Sequence, residues 1–225
     1  MRPIYTSSDS SFGSQNMKIS RNLLGLFLLF IFALSPSLYA QEMQEWNFNV
    51  TVDGNLIGKH QFRTKREEGL TIVTSNAKFD VKILFVNILK YRHQNREVWE
   101  AGCLAKIESN TRSNKKKFKV SGIKNKNDFA INTLVENKIH QGCLYTFAYW
   151  NPDFLLQDRL INSQTGEIEE VTVSKVDTES DSLTGYIVNA KEGPIKVWYS
   201  DETWIGLEST LKNGRTLRYQ IDSQT

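Results

Sequence analysis

The sequence predicts an all-β protein, an antiparallel meander of about ten strands that forms a curved sheet or barrel-like domain. Apolar and polar residues alternate with a period of two through most of the chain after residue 40, as in strands with one buried face. Turn signals recur about every 8 to 15 residues, which is typical of successive antiparallel strands. A helical period appears near residues 152–161, where we predict one short helix.

The first hairpin decides which residues point inward. The segment WNFNVTV places four apolar side chains on one face: Trp46, Phe48, Val50 and Val52. After the turn at residues 53–54, a two-residue loop would align this face with Lys59. A three-residue loop, with Gly54 in the left-handed conformation, aligns it with Leu56, Gly58, His60 and Phe62. We predict the second register because it keeps the face apolar, and this register turns His60 inward.

A second hairpin and the short helix complete the predicted elements. A three-residue loop at residues 212–214 sets two groups of side chains against each other: Ile205, Leu207, Ser209 and Leu211 against Leu217, Tyr219 and Ile221. In the helix, Asn151 is a suitable N-cap and Pro152 a suitable first residue. Its apolar face consists of Phe154, Leu155, Leu156, Leu160 and Ile161. We expect this helix to act as a lid or plug on the sheet.

The first forty residues have the layout of a leader. Residues 17–40 contain a short positive region, an apolar run and Ala40, which is typical of a signal peptide that is cleaved after Ala40. An uncleaved membrane anchor is the alternative, but a span needs roughly twenty apolar residues and this run is shorter. Residues 1–16 are a polar extension that is either disordered or not translated, with Met17 as the true start. We predict a single β-rich domain at 41–225 in a periplasmic or secreted protein.

In a chain that is predicted to be exported, the two cysteines suggest a disulfide, and the charged residues do not favour nucleic-acid binding. An exported chain with two cysteines allows one intramolecular disulfide, Cys103–Cys143, and two buried free thiols are the alternative. The whole chain has a formal net charge of +3, too small to favour nucleic acid. Its basic residues concentrate at 111–127, and we consider two interpretations of this hairpin. Either it is a solvated tip, or Lys115, Lys116 and Lys117 contact an anionic membrane surface.

No metal, cofactor or catalytic motif stands out. The three histidines, His60, His93 and His140, lack the short spacing of metal ligands, and there is no C-x-x-C pair. There is also no G-x-S-x-G nucleophile motif. Glu97 and Glu100 flank Trp99, and we interpret them as a polar strand face rather than as paired carboxylates. We therefore predict no metal and no cofactor, and a protein without enzymatic activity rather than an enzyme.

Aromatic residues suggest a pocket. On a strand at 143–150, Cys143, Tyr145, Phe147 and Tyr149 share one face and Trp150 lies opposite. A small antiparallel barrel either fills itself with such side chains or leaves room for one apolar ligand, and both readings remain open. For the second reading, the predicted ligand-binding residues are Trp46, Phe48, His60, Phe62, Tyr145, Phe147, Tyr149, Trp150 and Trp198.

Several segments together resemble a known bacterial family. They include DGNLIGKHQF, VWEAGCL, GCLYTFAYWNP, KVWYSDETWIGLES and NGRTLRYQI. In this order they resemble the family called domain of unknown function 6134 and, more distantly, domain of unknown function 3108. The resemblance implies an exported, mostly β, barrel-like protein and supports the disulfide between the two G-C-L segments. It implies no reaction.

Three functional hypotheses follow. The first is a periplasmic barrel-like protein that binds an apolar or lipid-like molecule in a cavity of about 300 Å³ or more. The second is an accessory or interaction protein of the cell envelope with a filled core and no ligand. The third is a hydrolase or isomerase centred on His60, which requires a carboxylate or hydroxyl within hydrogen-bond reach of that residue.

Overall fold

The computed structural model describes residues 43–83, 86–178 and 180–222. The predicted extension, signal peptide and cleavage site lie outside these ranges. Residues Gln41–Thr225 form one compact unit. Within the described part of the chain, no helix is long and apolar enough to cross a membrane.

Sixteen strands and one 3-10 helix make up the described fold. The strands are β1 (Met43–Val52), β2 (Asn55–Glu67), β3 (Leu70–Ile83), β4 (Val86–Glu100), β5 (Cys103–Ser113), β6 (Lys116–Asn125), β7 (Asp128–Thr133), β8 (Asn137–Gln141), β9 (Tyr145–Thr146), β10 (Arg159–Ile161), β11 (Ile168–Glu170), β12 (Thr172–Val176), β13 (Leu183–Ala190), β14 (Gly193–Ser200), β15 (Thr203–Thr210) and β16 (Thr216–Ile221). The 3-10 helix spans Pro152–Leu156.

Thirteen of the strands form one antiparallel sheet. Its order is β12-β13-β14-β15-β16-β1-β2-β3-β4-β5-β6-β7-β8, so the last of the described strands pairs with the first of them and the sheet is not closed. The all-β, antiparallel and barrel-like fold is confirmed. The number of strands exceeds the predicted ten because several short strands carry no alternation that a sequence pattern could reveal.

A second, three-stranded sheet of β11, β10 and β9 contacts the large sheet from its inner side. We call residues 143–170, which contain this small sheet and the 3-10 helix, the inner segment. Its residues Phe154, Leu160 and Ile161 have no solvent exposure. The predicted strand at 143–150 is wrong, since β9 covers two residues and Leu144, Tyr145 and Thr146 are all buried in succession. A segment enclosed on all sides needs no alternation.

The predicted helix is half right. Asn151 caps the 3-10 helix by accepting a hydrogen bond from the backbone N–H of Asp153, and proline occupies its start as expected. The helix ends at Leu156, however, and Arg159–Ile161 forms strand β10. Residues 160–161 are apolar because β10 is buried between β9 and β11, and not because they continue a helical face.

The first hairpin has the predicted register, but it reaches this register by a different route. The loop has two residues, because Val52 pairs with Asn55, and a β-bulge then shifts the register so that Val50 pairs with Gly58. His60 therefore pairs with Phe48, as predicted. The bulge reverses the directions in which Leu56 and Ile57 point. Leu56 was predicted to point inward, but it is 63% exposed, and Ile57 is buried instead.

The cysteines and the pairing of the second hairpin agree with expectation, but Ile221, which was predicted to point inward, is 44% exposed. Cys103 and Cys143 form the predicted disulfide, which ties the beginning of the inner segment to the β4–β5 turn. In the C-terminal hairpin Leu207 pairs with Tyr219 and Ser209 with Leu217. The core lies between the two sheets, and its largest fully buried side chains include Trp204, Phe48, Phe129 and Phe154.

Candidate ligand-binding site

A cavity of about 260 Å³ lies between the inner segment and the large sheet. β2, β3 and β4 provide one wall, because alternate residues of these strands point inward. The segment 146–150 and the turn at 162–164 provide the opposite wall, and residues 190–195 around the β13–β14 turn lie at a third side.

One side of the cavity is aromatic and leads to a second space. Phe62, Phe147, Tyr149 and Trp150 all line the cavity. A neighbouring cavity of about 180 Å³ is lined by Trp204, Leu207, Leu217 and other residues. The two cavities share His60, Phe62, Tyr149, Ile195 and Ser209. The shared side chains lie between the larger chamber, which has polar and apolar lining residues, and the smaller chamber, which is more apolar.

The other side of the cavity is polar and comes from β4. Its alternation turns Tyr91, His93, Asn95 and Glu97 toward the cavity. The hydroxyl of Tyr91 donates to Gln164 Oε1 at 2.9 Å, which connects this strand to the turn of the inner segment. β4 thus presents a polar row at a place where an apolar strand face is usual.

Glu97 is a buried carboxyl that is held by neutral donors. It is 3% exposed, and its Oε1 accepts a hydrogen bond from Asn95 Nδ2 at 2.8 Å. Its Oε2 accepts from Trp99 Nε1 at 2.9 Å and from Thr146 Oγ1 at 3.3 Å. Burial raises the pKa of Glu97, and the three hydrogen bonds partly oppose that rise. Glu97 therefore lies on a polar strand face, as interpreted from the sequence, but this face lines the cavity and is buried.

His60 lies at the junction of the two chambers. Its Nδ1 is 3.2 Å from the hydroxyl oxygen of Tyr219, and its ring centroid is 4.1 Å from that of Phe62. Burial, and to a smaller extent the neighbouring His93, lowers the pKa of His60 well below its usual value. The imidazole is consequently neutral at pH 7.

His93 is a second neutral imidazole on the same wall. Its Nδ1 lies 2.7 Å from Thr111 Oγ1, and its Nε2 lies 3.5 Å from Ser163 Oγ. Burial lowers the pKa of His93 to about 4. The ring centroids of His60 and His93 are 6.4 Å apart, too far for a direct hydrogen bond between the rings.

Three residues of this one cavity carry buried polar atoms without a hydrogen-bond partner. These atoms are His60 Nε2, Asn95 Oδ1 and Trp150 Nε1. Buried polar atoms in native proteins are nearly always hydrogen-bonded, to protein or to a bound molecule. Trp150 offers a donor and Asn95 an acceptor. The cavity therefore provides hydrogen-bonding capacity that the protein itself does not use.

The charged residues of the cavity are acidic. Glu97, Glu169 and Glu192 are among its lining residues, whereas none of the described lining residues is lysine or arginine. Glu169 is 6% exposed and accepts hydrogen bonds from Asn162 Nδ2 and from the backbone N–H of Lys191. This charge distribution disfavours a bound anion.

The structure brings some of the predicted ligand-binding residues to the cavity and leaves others elsewhere. His60, Phe62, Phe147, Tyr149 and Trp150 line it. Trp46, Phe48 and Tyr145 are buried in the packed core. Trp198 points to the opposite face of β14, because Val197 and Tyr199 take the inward positions. Tyr199 donates from its hydroxyl to the carbonyl of Tyr149 at 2.8 Å and so positions the inner segment.

The remaining predicted features can also be located. Lys115, Lys116 and Lys117 lie exposed at the β5–β6 hairpin. Among the described residues, no group of histidine, cysteine or carboxylate side chains is arranged to hold a metal ion. Asn95, Glu97 and Glu169 line the cavity although the sequence did not predict them as ligand-binding residues. In the segment YRHQNREVW both strand faces carry polar residues, so alternation could not show which of them points inward.

The chain resembles a solved structure in its fold and matches a family model in its sequence. A similar fold occurs in a solved structure described as a beta-barrel-like protein of domain of unknown function DUF1849 from Brucella abortus. The TM-score is 0.59 at 7% identity, over 81% of this chain and 96% of that chain, so the likeness concerns the fold alone. The curated proteins contain no match. The family model described as domain of unknown function (DUF6134) matches residues 48–222, and the chain belongs to that family.

Proposed function

We propose that this protein is exported and binds a small neutral amphipathic molecule in the cavity between its two sheets. The observation that carries this proposal is the coincidence of an aromatic wall with three unpartnered buried polar atoms in one cavity. The apolar part of the ligand would pack against Phe62, Phe147 and Tyr149. Its polar group would hydrogen-bond to Asn95, His60 and Trp150.

The charges of the cavity support a neutral ligand rather than a fatty-acid anion. A buried carboxylate needs a cation or several strong donors to offset its desolvation. The lining residues that the structure describes include glutamates and neutral histidines but no lysine or arginine. A ligand with hydroxyl, amide or ester groups fits this environment without an ionic partner.

The volume of the cavity limits the size of the ligand. The main chamber of about 260 Å³ is slightly smaller than the roughly 300 Å³ at which ligand pockets usually begin. The two chambers together fall within the usual range, if the side chains of His60 and Phe62 move apart. A molecule with one short apolar chain therefore fits better than a lipid with two long chains.

Native mass spectrometry of protein purified from its own cell envelope tests the proposal. We expect a co-purifying neutral molecule that organic extraction removes. Ser209→Phe places a ring into both chambers and should abolish the adduct. Ser174→Phe, on the exposed face of the edge strand β12, should retain it. A wild-type protein that carries no adduct and binds no apolar probe would overturn the proposal.

Two fluorescent probes test the predicted preference for neutral ligands. N-phenyl-1-naphthylamine is neutral, and 8-anilinonaphthalene-1-sulfonate has nearly the same shape with an added sulfonate. We expect the neutral probe to bind the wild-type protein more tightly and Ser209→Phe to weaken that binding. Tighter binding of the sulfonate at the same site would contradict the argument from charge.

Acid–base chemistry at His60 is a second candidate, and one observation favours it. The hydroxyl of Tyr219 lies within hydrogen-bond distance of Nδ1, and Nε2 on the other side of the ring has no partner. A neutral imidazole held in this way can take up a proton from a bound molecule. If the extracted ligand is chemically changed on incubation with wild-type protein but not with His60→Gln, this candidate replaces simple binding.

A further inference from the structure

A groove of about 640 Å³ lies on the outer face of β3, β4, β5 and β6. Its lining residues include five cations, Lys78, Arg92, Arg112, Lys117 and Lys119, and no acidic residue. Most of its lining side chains point outward from these strands, and His93 is the residue that it shares with the inner cavity among the described lining residues. Its volume falls within the usual range for ligand sites, roughly 300 to 1,000 Å³.

Four of these cations form a single row across the sheet. Lys78 pairs in register with Arg92, Arg92 with Arg112, and Arg112 with Lys117. Neighbouring strands are about 4.8 Å apart, so the positive charges recur at that spacing. Like charges placed directly opposite each other on paired strands are destabilising. We therefore expect the positive side chains of this row to repel each other in the free protein.

Several cations elsewhere on the sheet have a carboxylate partner. Arg63 is paired with Glu45 at 2.6 Å, and Lys59, which lies opposite Lys78 in register, is paired with Asp222 at 2.6 Å. In the row, Arg92 is paired with Asp80 at 2.7 Å. Lys78, Arg112 and Lys117 form no salt bridge with any described residue. An anion from outside the protein would relieve their mutual repulsion.

A second row of amides runs beside the cations. Asn76 pairs with Gln94, Gln94 with Asn110, and Asn110 with Lys119. These residues also line the groove. Side-chain amides both donate and accept hydrogen bonds, and hydroxyl groups need both functions in a partner. A ligand in this groove thus meets positive charge along one edge and amides along the other.

We propose that this groove binds a linear acidic saccharide whose rings carry carboxylate or sulfate groups. The anionic groups would face the row from Lys78 to Lys117, and the hydroxyl groups would face the amide row. Binding of single-stranded nucleic acid usually relies on aromatic rings that stack on bases. The aromatic rings among the described lining residues are those of Phe118 and His93, and strand alternation places both on the opposite face. A flat bilayer would contact the rims of the groove and not its floor.

Titration of the purified protein with oligogalacturonate tests this proposal, and it does not depend on the inner cavity. We expect binding that weakens as salt concentration rises, and no binding of the neutral maltose oligomer of equal length. The double variant Arg112→Gln/Lys117→Gln should reduce the affinity about tenfold. The matched control, Lys175→Gln/Lys196→Gln, removes the same charge from exposed positions on β12 and β14 and should bind like wild type.

Three outcomes would overturn the proposal. The first is an equal loss of affinity in the control, which would show attraction by net charge alone. The second is binding of phosphatidylglycerol vesicles or of an oligodeoxynucleotide, with loss in the groove variant, in the absence of saccharide binding. The third concerns stability at low salt. Relief of repulsion predicts a higher melting temperature for Arg112→Gln than for Lys175→Gln, and the reverse order would contradict the premise.

Discussion

The Nδ1 atom of His60 lies 3.2 Å from the hydroxyl oxygen of Tyr219, and this contact joins β2 to β16 across β1. The two residues are 159 positions apart in the sequence. Their partners on β1 are Phe48 and Val50, which are fully buried. The contact fixes the orientation of the imidazole at the point where β16 pairs with β1.

Tyr219→Phe should lower the free energy of unfolding by about 1 to 2 kcal/mol, because it leaves both ring nitrogens of His60 without a partner. Urea unfolding followed by tryptophan fluorescence measures the change. Tyr186→Phe is the control, since its ring is half-buried and no hydrogen bond of its hydroxyl is seen. Its effect should remain within about 0.5 kcal/mol. Equal losses in both variants would show that the hydroxyl of Tyr219 contributes nothing specific.

Stability should fall as the pH falls from about 6.5 to 4, because His93 is buried in its neutral form. Its pKa is about 4 in the folded protein and 6.5 in an exposed chain. Between these values the unfolded state binds more protons, so acid favours unfolding. The difference between these two pKa values corresponds to roughly 3 kcal/mol of unfolding free energy for His93. His60, whose pKa is also lowered by burial, changes the stability in the same direction.

Chemical denaturation across this pH range measures the effect of His93. His93→Gln should remove part of the pH dependence, because His60 still contributes, whereas His140→Gln, at a half-exposed position, should remove less. If the wild-type and His93→Gln curves are parallel from pH 7 to 4, His93 is not the titrating group.

Glu97→Gln should become more stable relative to wild type as the pH rises. Burial raises the pKa of Glu97, so the carboxyl is favoured in its protonated form in the folded protein, and this contribution is lost as the pH rises through the raised pKa. The glutamine amide can donate to Asn95 Oδ1, which has no partner in the wild type. Unfolding free energies at pH 5 and pH 8 should therefore diverge in favour of the variant. A constant difference would contradict the raised pKa.

Gly58→Ala should destabilise the protein by about 2 to 4 kcal/mol, because the backbone is closely packed at the bulge. A Cβ at this position would lie 1.9 Å from the carbonyl oxygen of Lys78, and the residue has a φ of +154°. Gly54→Ala is the control: its φ is +78°, with no atom within 4 Å of the added carbon. Backbone strain alone should cost about 1 kcal/mol there. Thermal unfolding compares the two, and an equal loss would contradict the close approach.

The hairpins show which structural features local sequence patterns can predict. Alternation in the first strand and the turn at residues 53–54 were enough to predict that His60 points inward opposite Phe48. The same reasoning placed Leu56 inside, because alternation cannot reveal a bulge. Likewise, Asn151 and Pro152 correctly predicted the start of a helix, while its end depended on strand pairing with distant residues.

The lining of the cavity could be predicted from the sequence only in part. Single aromatic residues such as Phe62 and Trp150 could be predicted as lining residues, since each lies on or beside a strongly apolar segment. The inward position of Asn95 and Glu97 could not, because β4 is polar on both faces and its register depends on pairing with β3 and β5.

Local alternation and turn chemistry were sufficient for the β class, the hairpins and the inward position of His60, because these depend on residues close together in the chain. The disulfide followed from there being two cysteines in a predicted exported chain. Pairing between distant segments was needed for the enclosed inner sheet, the unused polar atoms around it and the row of cations from Lys78 to Lys117. Each of these features arises from strand register and layer packing. Both bring together residues that are far apart in the sequence, and the local pattern around each residue does not indicate its partner.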